Sequence, residues 1–486
     1  MNGNPRLAHR FFSRACSFWC LFLRMLLLAV LAVVGEAFSA PVIAIKNVTL
    51  LTVTKGKVEN GTLLIENGKV AALGHNVTVP HQATEVDGTG MFLTPGLIDC
   101  HSHTAIEGNV NESSLSDSGM VDVRDVIDPY DIDVYRALAG GLTVSNVLHG
   151  SANAIGGRTV VIKLRWGTDA QQMLFAGATP GIKFALGENP KGQGYKPGFF
   201  SVPSSRPRRY PGTRLGVEDV IREDFTQAKI YQQAWKQYDE RVVKGESPIP
   251  PRRDLKLEAL AQVLEGKRYL HCHAYRSDEL LMLMKLSDEL GFKVRTFQHA
   301  LEAYKVAKEI SERQIGVSTF SDWWAYKMEA IDAIPYNAAI CTKKGIVTSL
   351  NSDSNELQRH LNYEAAKTLR YGELTEDEAL ALVTLNPAKQ LGIDNRVGSI
   401  EPGKDADLVL WNKYPLSNYS KPVKVWIDGN QYFDVNDDLK MRADLAAKKK
   451  ALLDKEAAAE QAEKKKAEKR EEPKEAGSKS PKIEEP

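Results

Sequence analysis

From about residue 41 to residue 95 the chain alternates short apolar stretches with turn residues. Residues 42–45, 50–53 and 62–65 are apolar-rich, Glu66-Asn67-Gly68 interrupts them, and residues 70–74 resume the pattern. This spacing predicts short strands joined by hairpin turns. A similar block returns late in the chain, at residues 398–411 and 423–429. Neither block can bury a comfortable core alone. The pattern therefore predicts one small β-sandwich built from residues 41–95 and 394–435, that is, from both ends of the chain.

Between these blocks, over residues 96–393, apolar strand-like runs alternate with helix-like stretches, the pattern of βα units around a parallel sheet. Eight strand candidates follow in order: residues 96–101, 142–148, 159–164, 182–186, 269–273, 294–297, 315–320 and 346–350. The expected class is α/β, a (β/α)8 TIM-like barrel with the β-sandwich beside it. The third candidate follows the second so closely that a hairpin addition is the alternative. Residues 189–268 are too long for an ordinary connection. They open with Arg206-Pro207-Arg208-Arg209-Tyr210-Pro211-Gly212-Thr213-Arg214 and continue as a charged, helix-like run. An insertion there is either a lid over the barrel face or a peripheral excursion. Residues 436–486 shift to Ala, Lys and Glu, a charged tail expected to be part exposed helix and part disordered.

Composition narrows the partners. The 486 residues carry 63 basic and 62 acidic side chains, a formal net charge of +1. No global field favours nucleic acid or an acidic membrane, so a small-molecule or peptide ligand is expected. At the N-terminus, Arg6, Arg10, Arg14 and Arg24 precede ten apolar residues, 25–34, and then small residues. This is the layout of a secretory signal peptide over residues 1–40, and ten residues are too few to span a bilayer. Export to the periplasm or the extracellular space is expected, an N-terminal membrane anchor being the alternative. Cys16 and Cys20 fall within that segment. Cys100, Cys272 and Cys341 are odd in number and widely spaced, which indicates no disulfide framework.

Candidate chemistry gathers at strand ends. His101-Ser102-His103 closes the first strand candidate, and alternation turns both imidazoles to one side. Two converging neutral imidazoles suit zinc or a similar divalent ion. His273 ends the fifth candidate, His299 closes the sixth, and Asp353 follows the eighth. A closed barrel would bring all of these to one mouth. His271 shares a face with His273 one layer deeper, so His273 is assigned to the metal and His271 to support or packing. His149, at the end of the second candidate, and Tyr275 are possible substrate or supporting residues.

These residues resemble the amidohydrolase superfamily, especially its imidazolonepropionase-like and Xaa-Pro dipeptidase-like branches. The matching motifs are Leu93-Thr94-Pro95-Gly96-Leu97-Ile98-Asp99-Cys100-His101-Ser102-His103, His273-Ala274-Tyr275, Asn351-Ser352-Asp353-Ser354, and a closing stretch that begins Leu385-Asn386-Pro387-Ala388 and ends Lys404-Asp405-Ala406-Asp407-Leu408. The likeness spans roughly residues 42–430 and omits the insertion and the tail.

The resemblance implies metals held by His101, His103, Lys183, His273, His299 and Asp353. Lys183 resembles the fourth-strand lysine that such proteins carbamylate with carbon dioxide, with Lys163 as the competing position. An ammonium would repel metals where a carbamate could bridge them. By the same resemblance the cofactors are two zinc ions and a carbamate on Lys183, and Asp353 shuttles the proton of a metal-activated hydroxide. The activity implied is hydrolysis of a C–N bond in a small amide, a cyclic amide or a dipeptide. The alternatives are a mononuclear deaminase with unmodified Lys183, or a non-catalytic exported binding protein. Homo-oligomerisation is compatible with either.

Overall fold

The structure is a computed structural model that describes residues 41–191 and 209–471, with side chains described as far as residue 466. Residues 1–40, expected to be a signal peptide, together with Arg206, Arg208 and the last tail residues, lie outside the described residues. No helix among the described residues is long and apolar enough to cross a membrane.

The first sheet joins β1 (Ile43–Leu51), β2 (Lys57–Glu66), β3 (Lys69–Gly74), β4 (Thr84–Asp87) and β5 (Phe92–Pro95) to β14 (Leu408–Trp411), β15 (Pro422–Ile427) and β16 (Asn430–Asp434). Its order is β16-β15-β14-β5-β1-β2-β3, with β4 beside β1. The two ends of the chain meet where β5 and β14 run antiparallel, Leu93 opposite Leu410 and Thr94 opposite Val409. Ile45, Leu50, Leu63, Ile65, Leu93, Leu410 and Trp426 fill its core.

Gly96 separates β5 from β6 (Leu97–Ser102), the first barrel strand. A Cβ there would fall 2.0 Å from Thr143 Oγ1, so only glycine lets the two layers approach. The second sheet continues through β7 (Leu142–Val147), β8 (Ile155–Lys163), β9 (Gly181–Ala185), β10 (Tyr269–His273), β11 (Val294–Gln298), β12 (Gly316–Thr319) and β13 (Thr348–Leu350) in sequence order. It forms a nearly closed barrel. Beyond β13, Asp353 N donates to His101 O at 3.2 Å, stitching the last strand's end to the first.

One strand departs from the parallel expectation. β8 pairs antiparallel with both β7 and β9. Residues 148–154 alone join β7 to β8, and a parallel crossover needs a dozen or more residues. The short connection therefore returns the chain in the opposite direction.

The described part of the insertion packs on the barrel. Its helix Arg214–Val243 buries Val217, Ile221, Phe225 and Ala228 in the cluster that coats the barrel. Phe225 stacks on Phe292 with centroids 4.1 Å apart and planes within 4°. The first half of this helix is barrel wall and the second half carries mostly half-buried and exposed side chains. Helix Leu255–Leu264, capped by Asp254, then leads into β10.

The C-terminal helix Val435–Glu471 forms a unit of its own. Its Ala, Lys and Glu side chains are mostly exposed as far as they are described.

Candidate functional site

The barrel mouth is assembled by strand ends. His101 is fully buried at the end of β6, and its backbone N–H donates to Asp99 Oδ1 at 3.0 Å. Asp99 also accepts from Ser352 N at 3.3 Å and from the Ser352 hydroxyl. One carboxylate thus holds the β6 and β13 ends together. His299 and Asp353, just past β11 and past β13, adopt left-handed backbone with φ of 57° and 45°. That conformation turns the chain sharply, and His and Asp are among the residue types that tolerate it.

Three imidazoles converge on Asp353. His103 Nε2 lies 3.1 Å and His101 Nε2 3.6 Å from Oδ1, and His299 Nε2 lies 3.5 Å from Oδ2. His101 Nε2 and His299 Nε2 are 3.3 Å apart. His103 Nδ1 donates to the Leu148 carbonyl at 2.7 Å, so in the neutral ring Nε2 carries its lone pair toward the carboxylate. Two lone-pair atoms at that distance repel unless a proton or a cation lies between them. Tetrahedral zinc with bonds near 2.0–2.1 Å has ligand–ligand edges of about 3.3–3.4 Å. The observed separations are of that size, and His101, His103 and Asp353 together form a group able to hold a metal ion. The residues present fit a divalent cation.

Burial favours neutral imidazoles. It drives His101 and His273 well below the ordinary histidine value, with Lys183 and neighbouring histidines adding to the effect. Burial likewise takes His299 down to about 3 although Asp353 opposes it. For Asp353 burial alone would raise the pKa, but His299 and His103 beside it hold the carboxyl well below the usual carboxylate range. Ligands ready for a cation are the result.

The other expected residues divide. His273 is 1% exposed and neither ring nitrogen has a hydrogen-bond partner among the described residues, while its ring lies 5.3 Å from that of His299. His271 sits one layer deeper, in register with Lys183. His149 uses both nitrogens on backbone: Nε2 accepts from Glu112 N at 2.7 Å, and Nδ1 pairs with Gly150 O at 2.9 Å. Its ring is committed to loop structure. Its carbonyl accepts from Lys183 Nζ at 3.3 Å. Lys183 is fully buried, and burial lowers it to about 8. Lys163, the competing lysine, is held by Asp405, Asp407 and Asp428 at 2.9, 3.1 and 2.5 Å, against the first sheet.

Sequence reasoning missed one wall of the site. Phe320 stacks on His299 at 4.7 Å and Trp323 on Phe320 at 4.4 Å. Tyr326 donates to the Tyr275 hydroxyl at 2.8 Å, and Lys327 Nζ lies 4.1 Å from the Tyr275 ring centre. The available signal was the aromatic run Trp323-Trp324-Ala325-Tyr326-Lys327 directly after a strand candidate. Arg209 and Arg214, in the segment that opens the insertion, are engaged with the protein itself. Arg209 donates to the Ala152 and Pro190 carbonyls, and Arg214 pairs with Glu188, Glu279 and Glu329.

A near-closed barrel whose strand ends gather a His-x-His, further histidines and an aspartate is the architecture of metal-dependent amidohydrolases. This chain belongs to the amidohydrolase superfamily. Residues 329–432 match the amidohydrolase family. The crystal structure of an amidohydrolase from Thermotoga maritima MSB8 superposes with a TM-score of 0.71 and 34% identity, over 81% of this chain and all of that one. Amidohydrolase tasK of Hapsidospora irregularis is 33% identical over 402 residues, 77% of this chain but only 40% of that protein's length. The imidazolonepropionase of Thermoplasma volcanium is 23% identical over 415 residues, 79% of this chain and 93% of that protein.

Proposed function

We propose that this protein is a binuclear metal amidohydrolase that cleaves the C–N bond of a small amide, a cyclic amide or a dipeptide. The observation that carries this reading is the convergence of His101, His103 and His299 on Asp353 at ligand-edge distances. His101, His103 and Asp353 would hold one ion and His273 and His299 the other. Bound divalent metal supplies a nucleophile at neutral pH and polarises the scissile carbonyl.

The chain's own groups do the rest. Asp353 Oδ1 and Oδ2 face the histidine cluster, so this carboxylate is placed to accept a proton from attacking water and return it to the leaving nitrogen. Lys183 suits carbamylation: its amine is fully buried, has no carboxylate partner among the described residues, and at about 8 is partly neutral near pH 7. A neutral amine is the form that reacts with carbon dioxide. The Phe320, Trp323 and Tyr326 wall excludes water from one side of the cluster. Lys327, paired with Glu329 at 3.2 Å, closes that wall on the side of Tyr275. Export through a cleaved leader is part of this reading, supported by the arginine-rich segment before residues 25–34.

Metal analysis of the purified protein, with the mass of the peptide containing Lys183, tests the metal count. Two zinc ions and a peptide heavier by one carbon dioxide are expected; one metal and unmodified lysine would support deamination instead. Asp353→Asn should lower turnover by about 10²–10⁴ with metal content largely intact. Unchanged rates would sink the assignment of Asp353.

A further inference from the structure

Helix Arg214–Val243 begins close to the barrel mouth, and its first side chain is engaged on three sides. Arg214 Nε lies 3.0 Å from Glu188 Oε1, Nη1 3.0 Å from Glu279 Oε1, and Nη2 3.4 Å from Glu329 Oε1. These carboxylates belong to three separate connections: Glu188 follows β9, Glu279 lies in helix Ser277–Leu290 after β10, and Glu329 lies beyond β12. Glu279 and Glu329 are buried, at 6% and 4% exposure. Burial pushes Glu279 up to about 7, and the nearby Glu329 adds to that while Arg214 opposes it. Without the guanidinium, two buried like charges would drive these connections apart. Glu329 Oε1 also accepts from Glu188 N at 2.7 Å. Gly187 makes the approach possible, since a Cβ there would stand 2.3 Å from the same oxygen.

From this knot, direct contacts run to the metal histidines. Lys327 Nζ lies 3.2 Å from Glu329 Oε2, 3.2 Å from Asn189 Oδ1 and 4.1 Å from the Tyr275 ring centre. Tyr326 donates to the Tyr275 hydroxyl, and the Tyr275 ring lies 4.6 Å from that of His273. Moving Glu329 therefore moves Lys327, and with it the face that Tyr275 and Tyr326 present to the cavity.

We propose that Arg214 is a positioning residue for the substrate-facing wall: by joining Glu188, Glu279 and Glu329 it fixes Lys327 and Tyr326 against Tyr275. The proposal rests on the hydrolase reading above and extends it to substrate binding. Arg214 does not touch the reacting atoms. Its planar fork of donors can meet three carboxylates at once, whereas a lysine offers one compact charge.

The test uses the full-length enzyme with Arg214→Gln, Arg214→Lys, Lys327→Met and the Gln/Met double variant, assayed on a dipeptide that the wild type hydrolyses. Arg214→Gln should raise KM about 10-fold with a smaller change in kcat, from loss of charged hydrogen bonds that hold the wall. Arg214→Lys should recover part of the loss. In the Lys327→Met background, Arg214→Gln should add about two-fold or less, because both act through one element. Hydrogen exchange of residues 321–336 should speed up in Arg214→Gln while residues 97–103 stay protected. Unchanged exchange and KM, or effects that multiply in the double variant, would overturn the proposal. A wild type that hydrolyses no amide or dipeptide would defeat the hydrolase reading, and the exchange measurement would still decide the role of Arg214. Should Arg214→Gln fail to fold, Arg214→Lys carries the same comparison.

Discussion

Two lysines on neighbouring strands are buried to the same degree and treated in opposite ways. Lys163 on β8 and Lys183 on β9 both have no solvent-exposed surface. Lys163 stands among Asp405, Asp407 and Asp428, with Arg396 and Lys69 on Asp405 and Arg165 on Asp428. Burial would lower its pKa, yet the three aspartates raise it above the ordinary lysine value. Among the described residues Lys183 has only the His149 carbonyl within hydrogen-bond reach, and burial lowers it. Burial alone therefore does not assign a role; the partner does. One lysine pins the barrel to the first sheet as a permanent cation. The other is left uncompensated in the mouth, a costly state for an ammonium and a reactive one for an amine.

The contrast breaks most visibly on substitution. Lys163→Met should cost about 3–5 kcal/mol in urea unfolding, because it strands buried carboxylates without their cation. Compared in metal-free protein, Lys183→Met should leave stability within about 1 kcal/mol, since it removes a buried charge without an ion-pair partner, while metal uptake and activity are lost. Equal destabilisation by both would erase the distinction.

Acidity separates the two regions less strongly. In metal-free protein His101, His149, His271, His273 and His299 are all depressed below 6.5, chiefly by burial. The unfolded chain then binds protons that the folded mouth refuses, so stability falls as pH drops below about 6.5, each histidine adding up to about 1.4 kcal/mol per pH unit. Asp407 works the other way. Burial lifts it to about 6 against the pull of Lys163, so near pH 6 and below the folded protein holds a proton that the unfolded chain releases, and at this group acidification favours the folded state. Urea midpoints measured from about pH 7 to pH 5 should fall overall, and zinc should raise them without removing the slope, which proton uptake by the unfolded chain sets; a flat metal-free profile would contradict the neutral imidazoles. The smallest effect concerns Arg165, whose partly exposed pair with Asp428 should be worth about 1 kcal/mol or less and weaken with salt, as Arg165→Ala would report.

Much of the barrel is readable in the sequence because its strands are buried on both faces and appear as largely apolar runs. The strand 269–273 coincides with its candidate, and the others differ by a few residues at their ends. Direction is another matter. Nothing in the residues of β8 says which way it points, and only the seven-residue connection before it does. Lys183 was preferred to Lys163 by resemblance alone, because the aspartates that hold Lys163 lie more than 240 residues beyond it. The histidines and Asp353 were legible since strand ends of a barrel converge by topology. Arg214, Glu279, Glu329 and Lys327 were not, because they sit on connections whose approach depends on packing, and such charges look like ordinary solvated surface in sequence.

His299 and Asp353 hold left-handed backbone, a state that costs most side-chain-bearing residues about 1–2 kcal/mol relative to the common regions. Glycine would relax both positions and would also remove an imidazole and a carboxylate from the crowded interior. A library of variants sorted for heat resistance alone would then be expected to discard these two residues early, drifting toward a hardier barrel that catalyses nothing. Any effort to toughen this protein for use outside its native setting has to score turnover and melting together from the first round.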